Sequence, residues 1–338
     1  MNGVSVVICC YNSTANLPAT LAHLAKQSVR AQWEIVLVDN NSSDGTGQSA
    51  KHYWDENGVA DVPFISVLEK QPGLSYAREA GVKASQYELV IFCDDDNWLE
   101  ADYLDKAYSI VSGNPDIGIL GGLNTAVSDV AFPTWFAEMQ HAYACGPQAN
   151  ADGLVERQHV TGAGMVIRKE LLSTLKAIGF KSLLTDRKGK ELSSGGDSEI
   201  CFAALMLHFK VVYFPELKLQ HYIDERRLNW RYFIKMLLGH ARASYTLQYY
   251  QYEVNNTQYS PSWLGELLRI TRLMLHTSPL RLSYDYVRCR SSISSPSEVG
   301  NLMDFEKWLI HLKKPFSYSG MVQTIKRLKI AVADYARA

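Results

Sequence analysis

The first third of the chain alternates between short apolar runs and segments whose leucines recur at helical spacing. Leu17, Leu21 and Leu24, for example, lie three or four residues apart, which places them on one face of a helix. Near-continuous apolar strands that alternate with helices are typical of a parallel sheet covered on both faces. The pattern therefore predicts an α/β fold with a doubly wound, mostly parallel sheet. The predicted strands span residues 4–10, 34–38, 64–68, 89–93 and 117–123.

Three adjacent carboxylates, Asp94, Asp95 and Asp96, follow the fourth apolar run. They repel one another, so a fold that keeps them together needs positive charge beside them. Open α/β sheets bind ligands at the carboxyl ends of their strands, and alternation along an extended strand points Asp94 and Asp96 the same way. Oxygen ligands of this kind suit Mg²⁺ or Mn²⁺. The alternative is a solvated acidic turn that caps the next helix.

Further motifs accompany the triplet in a fixed order along residues 1–225. Tyr-Asn stands at 11–12, Val-Asp-Asn-Asn-Ser-Ser-Asp-Gly-Thr at 38–46, Gly-Leu-Ser-Tyr-Ala-Arg at 73–78, Gly-Ala-Gly at 162–164, Gly-Gly-Asp-Ser-Glu at 195–199, and Pro215 precedes His221. This order resembles the family 2 inverting glycosyltransferases of the GT-A fold. The resemblance implies a nucleotide-diphosphate sugar donor, a bound metal and an acceptor hydroxyl that is deprotonated during transfer.

For the donor, the resemblance implies base contacts from Asp39 and Asn40. The family often has two Asp residues there, and the amide of Asn40 both donates and accepts, so the base stays open. An Asx-rich turn that caps a helix is the alternative. The donor fork of Arg78 suits a phosphate or a base edge, or else a surface ion pair. The other implied donor contacts are Tyr11, Asn12, Asp94 and Asp95.

For the metal, the resemblance implies Asp96 as a direct ligand, with Asp94 in support. The family usually has a further Asp after this motif, where Asn97 stands here. His221 is a candidate ligand, since imidazole suits Mn²⁺ better than Mg²⁺; a structural histidine is the alternative. The implied cofactor is Mn²⁺ or Mg²⁺.

For the chemistry, the resemblance implies that Asp197 is the base that takes the acceptor proton. The Glu that usually precedes it is replaced by Gly196, and Glu199 is a candidate for orienting the acceptor. The alternative role for Asp197 is to cap a helix at 198–207. One direct displacement through an oxocarbenium-like transition state would invert the anomeric carbon.

For the acceptor, aromatic side chains within residues 126–158, such as Trp135 and Tyr143, are candidates for stacking on a sugar, although buried aromatics also pack in any core. We expect a saccharide or a lipid-linked saccharide, as in surface-polysaccharide assembly. The candidate acceptor residues are Trp135, Gly162, Gly164 and Glu199.

The two predicted domains of the 338-residue chain differ in net charge. Residues 1–225, the predicted catalytic domain, carry a balance of −11, and residues 226–338, a helical extension, carry +10. Basic, aromatic-rich amphipathic helices, one of them decorated by Arg269 and Arg272, suit an anionic membrane surface. The alternatives are packing on the acidic domain or a homodimer contact. No nucleic-acid recognition motif appears.

Composition predicts a cytoplasmic enzyme, and the basic extension adds the expectation of peripheral association with the inner face of the membrane. Hydrophobic residues make up 47% of the chain, but no apolar stretch approaches the ~20 residues of a membrane helix. The first strand begins at Val4 and leaves no room for a signal peptide. Cys9, Cys10 and Cys93 lie in predicted core strands, which favours reduced thiols.

Two other classes of function remain open at this point. A nucleotidyltransferase would also use a doubly wound sheet and an acidic metal site, but it would normally carry a Gly-rich basic loop after the first strand. Residues 9–12, Cys-Cys-Tyr-Asn, do not form such a loop. A non-catalytic sugar- or nucleotide-binding module would not need Asp197.

Overall fold

The computed structural model describes residues 2–184, 194–259, 262–275, 296–313 and 315–337. Its centre is one sheet in the order β3-β2-β1-β4-β8-β6-β9-β5, with β7 paired to β9. Strands β1 to β4 run parallel to one another, as do β6 and β9, whereas β8 and β5 are antiparallel to their neighbours. The strands are β1 (Val4–Cys10), β2 (Trp33–Asp39), β3 (Phe64–Leu68), β4 (Leu89–Asp94), β5 (Asn97–Leu99), β6 (Ile117–Val127), β7 (Gly153–Leu154), β8 (Val166–Arg168) and β9 (Lys210–Tyr222).

Helices cover both faces of the sheet, as the sequence predicts. Side chains alternate along β1, so that Val6 and Ile8 enter one buried cluster while Val7 enters the cluster on the other face. Two short 3-10 helices, Gln140–Tyr143 and Glu225–Arg227, supplement the α-helices. The α-helices are α1 (Leu17–Leu24), α2 (Thr46–Asn57), α3 (Leu74–Ala84), α4 (Tyr103–Ser112), α5 (Phe136–Met139), α6 (Lys169–Ala177), α7 (Gly196–Met206), α8 (Trp230–Val254), α9 (Trp263–Leu275), α10 (Pro296–Lys313) and α11 (Pro315–Tyr335).

The helical extension predicted after residue 225 begins with α8, which packs against α7, α10 and α11. Phe233, Leu237 and Tyr245 recur at multiples of four residues and are buried on one face of α8. Ser260 and Pro261, a pair typical of a helix start, lie outside the described residues, as does Lys314. Within the described ranges, no helix is both long and apolar enough to cross a membrane.

The contacts of Arg269 contradict the expectation that its side chain decorates a free basic surface. Its guanidinium does not decorate a free surface but donates to both carboxylate oxygens of Glu266, at 2.6 and 2.8 Å. Glu266 is fully buried and also accepts from Tyr249. Arg272, one turn further along α9, is exposed as expected.

Most of the described cysteines are buried. Every cysteine in the described part of the chain is free, and those of the core strands β1 and β4 lie beside apolar neighbours. Burial raises the pKa of Cys9 to about 12, so its thiol stays protonated at neutral pH.

Candidate active site

The carboxyl ends of β1, β2 and β4 open into a cavity of about 960 Å³. This volume lies at the upper end of the range for ligand-binding pockets, about 300–1,000 Å³. The fold brings together most of the side chains that the sequence singled out. The predicted residues that line the cavity are Tyr11, Asn40, Arg78, Asp94, Asp95, Asp96, Tyr143, Gly162, Asp197 and His221.

Asp197 lies in the first turn of α7 and reaches the cavity beside Arg78. Arg78 Nη1 donates to Asp197 Oδ1, and the side chain of Arg78 is only 8% exposed. The guanidinium also lies 4.9 Å from the centroid of the Phe92 ring, a favourable cation–π distance. Arg78 therefore forms a buried ion pair rather than the surface pair considered above. Asp197 does not cap the helix, because α7 starts at Gly196 and its N-cap is Gly195.

Gly162 holds the other side of the Asp197 carboxylate. A Cβ atom at position 162 would lie 2.1 Å from Asp197 Oδ2 and 2.4 Å from its Cγ. Real Cβ atoms do not approach other atoms so closely, so a larger residue would displace the carboxylate from its present position. The Gly162-Ala163-Gly164 loop and Arg78 thus fix the position of Asp197 from two sides.

Asp96 and His221 meet because β5 pairs antiparallel with β9. The register sets Asn97 opposite His221, which leaves Asp96 beside the imidazole. Asp96 Oδ1 lies 3.4 Å from His221 Nε2, and Asp96 Oδ2 lies 3.1 Å from Arg227 Nη1. Burial alone would lower the pKa of His221, but the Asp96 carboxylate outweighs it and raises the pKa to about 10.

The other two acidic residues of the triplet differ in their surroundings. Asp94 lines the cavity, and burial together with the like charge of Asp96 raises the pKa of its carboxyl. Asp95 accepts from Ser13 Oγ, and its carbonyl oxygen accepts from Thr20 Oγ1 at 2.7 Å. Asp95 therefore ties the triplet to the loop before α1 and to α1 itself.

The spacing of Asp96 and His221 can be compared with the spacing of two ligands on one divalent cation. Two ligands at right angles on an ion with bonds of about 2.1 Å lie about 3 Å apart, close to the Asp96–His221 separation of 3.4 Å. No set of three His, Cys, Asp or Glu side chains capable of holding a metal occurs in the described ranges. Mg²⁺ and similar ions are commonly bound by one or two protein ligands plus substrate phosphates. Asp96 and His221 fit such a site, whereas Asp94 does not complete a protein cage.

The residues predicted to contact the base are engaged within the protein. Asp39 accepts from the backbone amides of Ser42 and Gly47, which is the turn-and-cap arrangement described above as the alternative. Asn40 donates from Nδ2 to the carbonyls of Glu69 and Gln71, at 3.0 and 2.8 Å. These two side chains hold the loops at the ends of β2 and β3, and direct contact with a base stays a prediction.

Asn12 has a similar internal role. Its Oδ1 accepts from the Ser43 amide at 2.8 Å, and its backbone adopts a positive φ of 53°. This bond joins the loop after β1 to the loop after β2. Asn12 does not line the cavity, in contrast to Tyr11, whose side chain is exposed beside it.

The candidate acceptor residues Trp135, Gly164 and Glu199 lie outside the cavity lining. Trp135 packs its ring against Trp230 and Phe233, at centroid distances of 5.0 and 4.9 Å. The carbonyl of Gly164 accepts from a buried tyrosine hydroxyl. These contacts favour the packing alternative for Trp135 that the sequence left open.

Glu199 is fully buried beneath the site. Its carboxylate accepts from the amides of Leu183 and Leu184, from Ser182 Oγ and from the hydroxyl of Tyr250. Burial raises the pKa of this carboxyl, although all four bonds favour the ionised form. Glu199 therefore links α7 to α8 and to the segment before residue 185, and it does not face an acceptor.

Sequence reasoning missed several residues that line the cavity. Arg157 and His159 do so, and burial lowers the pKa of His159 to about 4, so its imidazole is neutral at pH 7. Arg227 also lines it, just beyond the predicted domain boundary. Its position soon after His221, in the segment that joins β9 to α8, was the available signal.

One face of α8 supplies a further wall. Its lining residues recur three or four positions apart, as the face of a helix requires. His240, Ser244, Gln248 and Gln251 form a stripe of uncharged polar or imidazole side chains on this face. The spacing of these residues is visible in the sequence, but the apolar face of the same helix gives the stronger pattern.

Known proteins resemble this chain in sequence. The sequence model of the family described as "Glycosyl transferase family 2" matches residues 5–175, about half of the chain. A cholesterol galactosyltransferase of Borreliella burgdorferi is 34% identical over 107 residues, or 31% of this chain and 28% of that protein. Glycosyltransferase AglE of Haloferax volcanii is 29% identical over 120 residues, or 35% of this chain and 38% of that protein. The chain thus spans well under half the length of either relative.

Solved structures resemble it over nearly the whole chain. The mannosyltransferase PcManGT from Pyrobaculum calidifontis, in complex with GDP-Man and Mn²⁺, has a TM-score of 0.54 and 17% identity, covering 99% of this chain and 87% of that one. S. aureus TarS 1-349 in complex with UDP-GlcNAc has a TM-score of 0.51 and 15% identity, covering 100% and 92%. At such identities the similarity demonstrates a shared fold.

Proposed function

Because the chain belongs to glycosyl transferase family 2, we propose that it transfers a sugar from a nucleoside-diphosphate sugar to an acceptor hydroxyl. The observation that carries this proposal is the convergence of two groups on one cavity. One group is Asp197 held by Arg78, and the other is the neighbouring pair Asp96 and His221. The first suits a base, and the second suits a divalent cation that carries a diphosphate.

Asp197 is the proposed base. Its carboxylate is a quarter exposed and faces the cavity, while Arg78 and Gly162 restrict its position. A carboxylate held in place can take the proton of an acceptor hydroxyl as that oxygen attacks the anomeric carbon. A single displacement of this kind inverts the configuration of the sugar.

Asp96 and His221 are the proposed metal ligands, with Asp94 nearby as a further source of negative charge. The bound ion, Mn²⁺ or Mg²⁺, would supply Lewis-acid stabilisation to the departing diphosphate. The similarity to PcManGT, whose structure contains GDP-Man and Mn²⁺, supports this part of the proposal. The donor base stays open, since nucleotides with uracil and guanine both occur among the structural neighbours.

The α8 wall is the proposed acceptor side of the cavity. His240 and Gln251 lie about 16 Å apart along the helix axis, at 1.5 Å per residue, so the stripe can span more than one sugar unit. Amide, hydroxyl and imidazole groups suit sugar hydroxyls, which both donate and accept. We therefore propose a saccharide acceptor, free or lipid-linked, used at the cytoplasmic face of the membrane in surface-polysaccharide assembly.

The proposed function is tested with a panel of nucleotide sugars and saccharide acceptors, by measuring the nucleoside diphosphate released. Asp197→Asn should lower kcat by roughly 10²–10⁴, the usual worth of general-base catalysis, while donor affinity stays nearly unchanged. EDTA should stop turnover, and NMR of the product should find inverted configuration. Asp116→Asn, at an exposed carboxylate paired with Lys210, is the matched control.

Three outcomes would contradict the proposal. A collapse of donor affinity in Asp197→Asn would assign this residue to the nucleotide or metal site. Full activity in EDTA would show that the reaction does not need a metal ion. Formation of a nucleotide sugar and pyrophosphate from a nucleoside triphosphate and a sugar 1-phosphate, with no sugar transfer in the panel, would make the protein a nucleotidyltransferase.

A further inference from the structure

Arg227 has an incomplete set of contacts at the edge of the proposed metal site. It ends the 3-10 helix Glu225–Arg227, its side chain is 14% exposed, and Nη1 lies 3.1 Å from Asp96 Oδ2. Its Nε atom is buried without any acceptor in the part of the chain that the structure describes. A buried N–H donor that lacks an acceptor is unfavourable, so this arrangement leaves room for a better partner.

The backbone of Arg227 is anchored separately from its charged end. The hydroxyl of Tyr143 donates to the Arg227 carbonyl at 2.8 Å, and Tyr143 is itself buried. The guanidinium lies over the ring of Tyr232, 5.9 Å from its centroid, and a side-chain hydrogen bond also joins the two residues. Arg227 therefore has an anchored backbone and a charged end that faces the cavity.

Asp96 cannot form a strong ion pair with Arg227 and bind a divalent ion at the same time. Its Oδ1 already receives Asn97 Nδ2 at 3.1 Å and lies beside His221, while Oδ2 receives Arg227. An ion bound to Asp96 would lie about 2.1 Å from one of these oxygens, so the guanidinium would face a double positive charge at close range. Metal binding thus weakens the contact between Arg227 and Asp96.

We propose that Arg227 neutralises Asp96 while the donor is absent and transfers its guanidinium to the donor's diphosphate when metal and donor bind. This inference rests on the proposed function, because it requires both a metal and a diphosphate. The five N–H donors of a guanidinium match phosphate oxygens in a fork, so the diphosphate gives Nε the acceptor that it lacks. Arg227 is then both a competitor of the metal and a ligand of the donor.

The test compares two affinities in the full chain. Mn²⁺ alone is titrated into wild type and Arg227→Gln by calorimetry, and then UDP and GDP are titrated at saturating Mn²⁺. Arg227→Gln should bind Mn²⁺ several-fold more tightly, because the competing charge is gone. It should bind the preferred nucleoside diphosphate about tenfold or more weakly, because a charged partner is lost. The two affinities therefore change in opposite directions.

Arg226→Gln is the matched control. Arg226 is the preceding residue, but its side chain is 84% exposed and pairs with Asp224. Both affinities should equal those of wild type. Arg227→Lys keeps the charge and loses the fork, so it should bind Mn²⁺ like wild type and the nucleoside diphosphate less tightly.

The outcomes separate this inference from the proposed function. If wild type binds Mn²⁺ and a nucleoside diphosphate but Arg227→Gln weakens both or changes neither, the role assigned to Arg227 is wrong and the proposed function stands. If wild type binds neither ligand, both proposals are overturned. If Arg227→Gln does not fold, Arg227→Lys decides: unchanged nucleoside-diphosphate affinity overturns the inference.

Discussion

At the scale of single residues, the position of Asp197 depends on the absence of a side chain at Gly162. The loop that contains Gly162 lies against the carboxylate, with no room for even a methyl group between them. Gly162 does not have a positive φ, so the backbone itself would accept alanine. The glycine is required for the approach of two segments rather than for the shape of the loop.

Gly162→Ala should therefore act as a catalytic variant without changing any charged group. The added methyl group would displace the Asp197 carboxylate from its present position, and a misplacement of about 1 Å can cost about 10²-fold in rate. We expect kcat to fall by about that factor while donor affinity is retained. Gly320→Ala, in α11 with open space around it, is the control and should keep full activity. Wild-type kcat in Gly162→Ala would show that the position of Asp197 does not limit the reaction.

Residues of the site could be predicted where they follow a strand end directly. Asp94, Asp95 and Asp96 lie on the chain next to β4, so the sheet alone delivers them to the cavity. The orientation of Trp135 and Glu199 depends instead on where α8 packs. That packing is a long-range contact, and the local pattern around either residue contains no information about it.

At the scale of elements, continuously apolar strands were predictable, whereas the short strands and the long β9, in which buried and exposed residues are interspersed, were not. The runs that became β1 to β4 and β6 match their predicted positions within a few residues, because burial on both faces leaves a continuous apolar signal. Strands β5 and β7, of three and two residues, are too short to leave a pattern. The pairing of β5 with β9 nevertheless creates the Asp96–His221 contact, so a predicted site residue acquired its partner from an element that the sequence did not reveal.

The junction between α7 and α8 depends on Glu199 as an acceptor at both of its oxygens. The amide of Leu183 donates to Oε1 and that of Leu184 to Oε2, at 2.8 and 3.1 Å. Glu199→Gln must therefore place an NH₂ group against one of two backbone N–H donors, whichever way the amide is turned. A hydroxyl could rotate to adapt, but a backbone amide cannot.

We expect Glu199→Gln to lower the free energy of unfolding by about 1–3 kcal/mol, the usual cost of leaving a buried hydrogen-bonding group unsatisfied. Denaturant titration measures this change. Glu216→Gln, at an exposed position in β9, should change stability by less than about 0.5 kcal/mol. A variant at position 199 as stable as wild type would mean that the junction rearranges to satisfy every donor.

At the scale of the whole molecule, the positive charge of the extension can serve packing within the protein or association with an anionic membrane. The contacts of Arg269 are an example of the first. The guanidinium neutralises the fully buried Glu266, so its charge serves packing. Association of the extension with a membrane stays a prediction that depends on exposed cations such as Arg272.

Arg269→Gln should destabilise the protein, whereas Arg272→Gln should not. Removing Arg269 strands the charge of the fully buried Glu266, and since Arg269 itself is 35% exposed we expect a loss of about 1–3 kcal/mol in the free energy of unfolding. Thermal and denaturant unfolding measure it. The same two variants can be floated with anionic vesicles over a range of salt, since surface attraction weakens as salt rises. Loss of vesicle association in Arg269→Gln at unchanged stability would reverse this assignment.

The polar stripe on α8 also bears on how such an enzyme can diversify. Residues 5–175 match the family, while the stripe lies well beyond them, on a helix whose other face is already fixed by packing. Substitutions at His240, Ser244, Gln248 or Gln251 would alter the wall without touching Asp96 or Asp197. If α8 forms the acceptor side as proposed, we expect grafted or evolved α8 sequences to change acceptor preference while donor turnover is preserved.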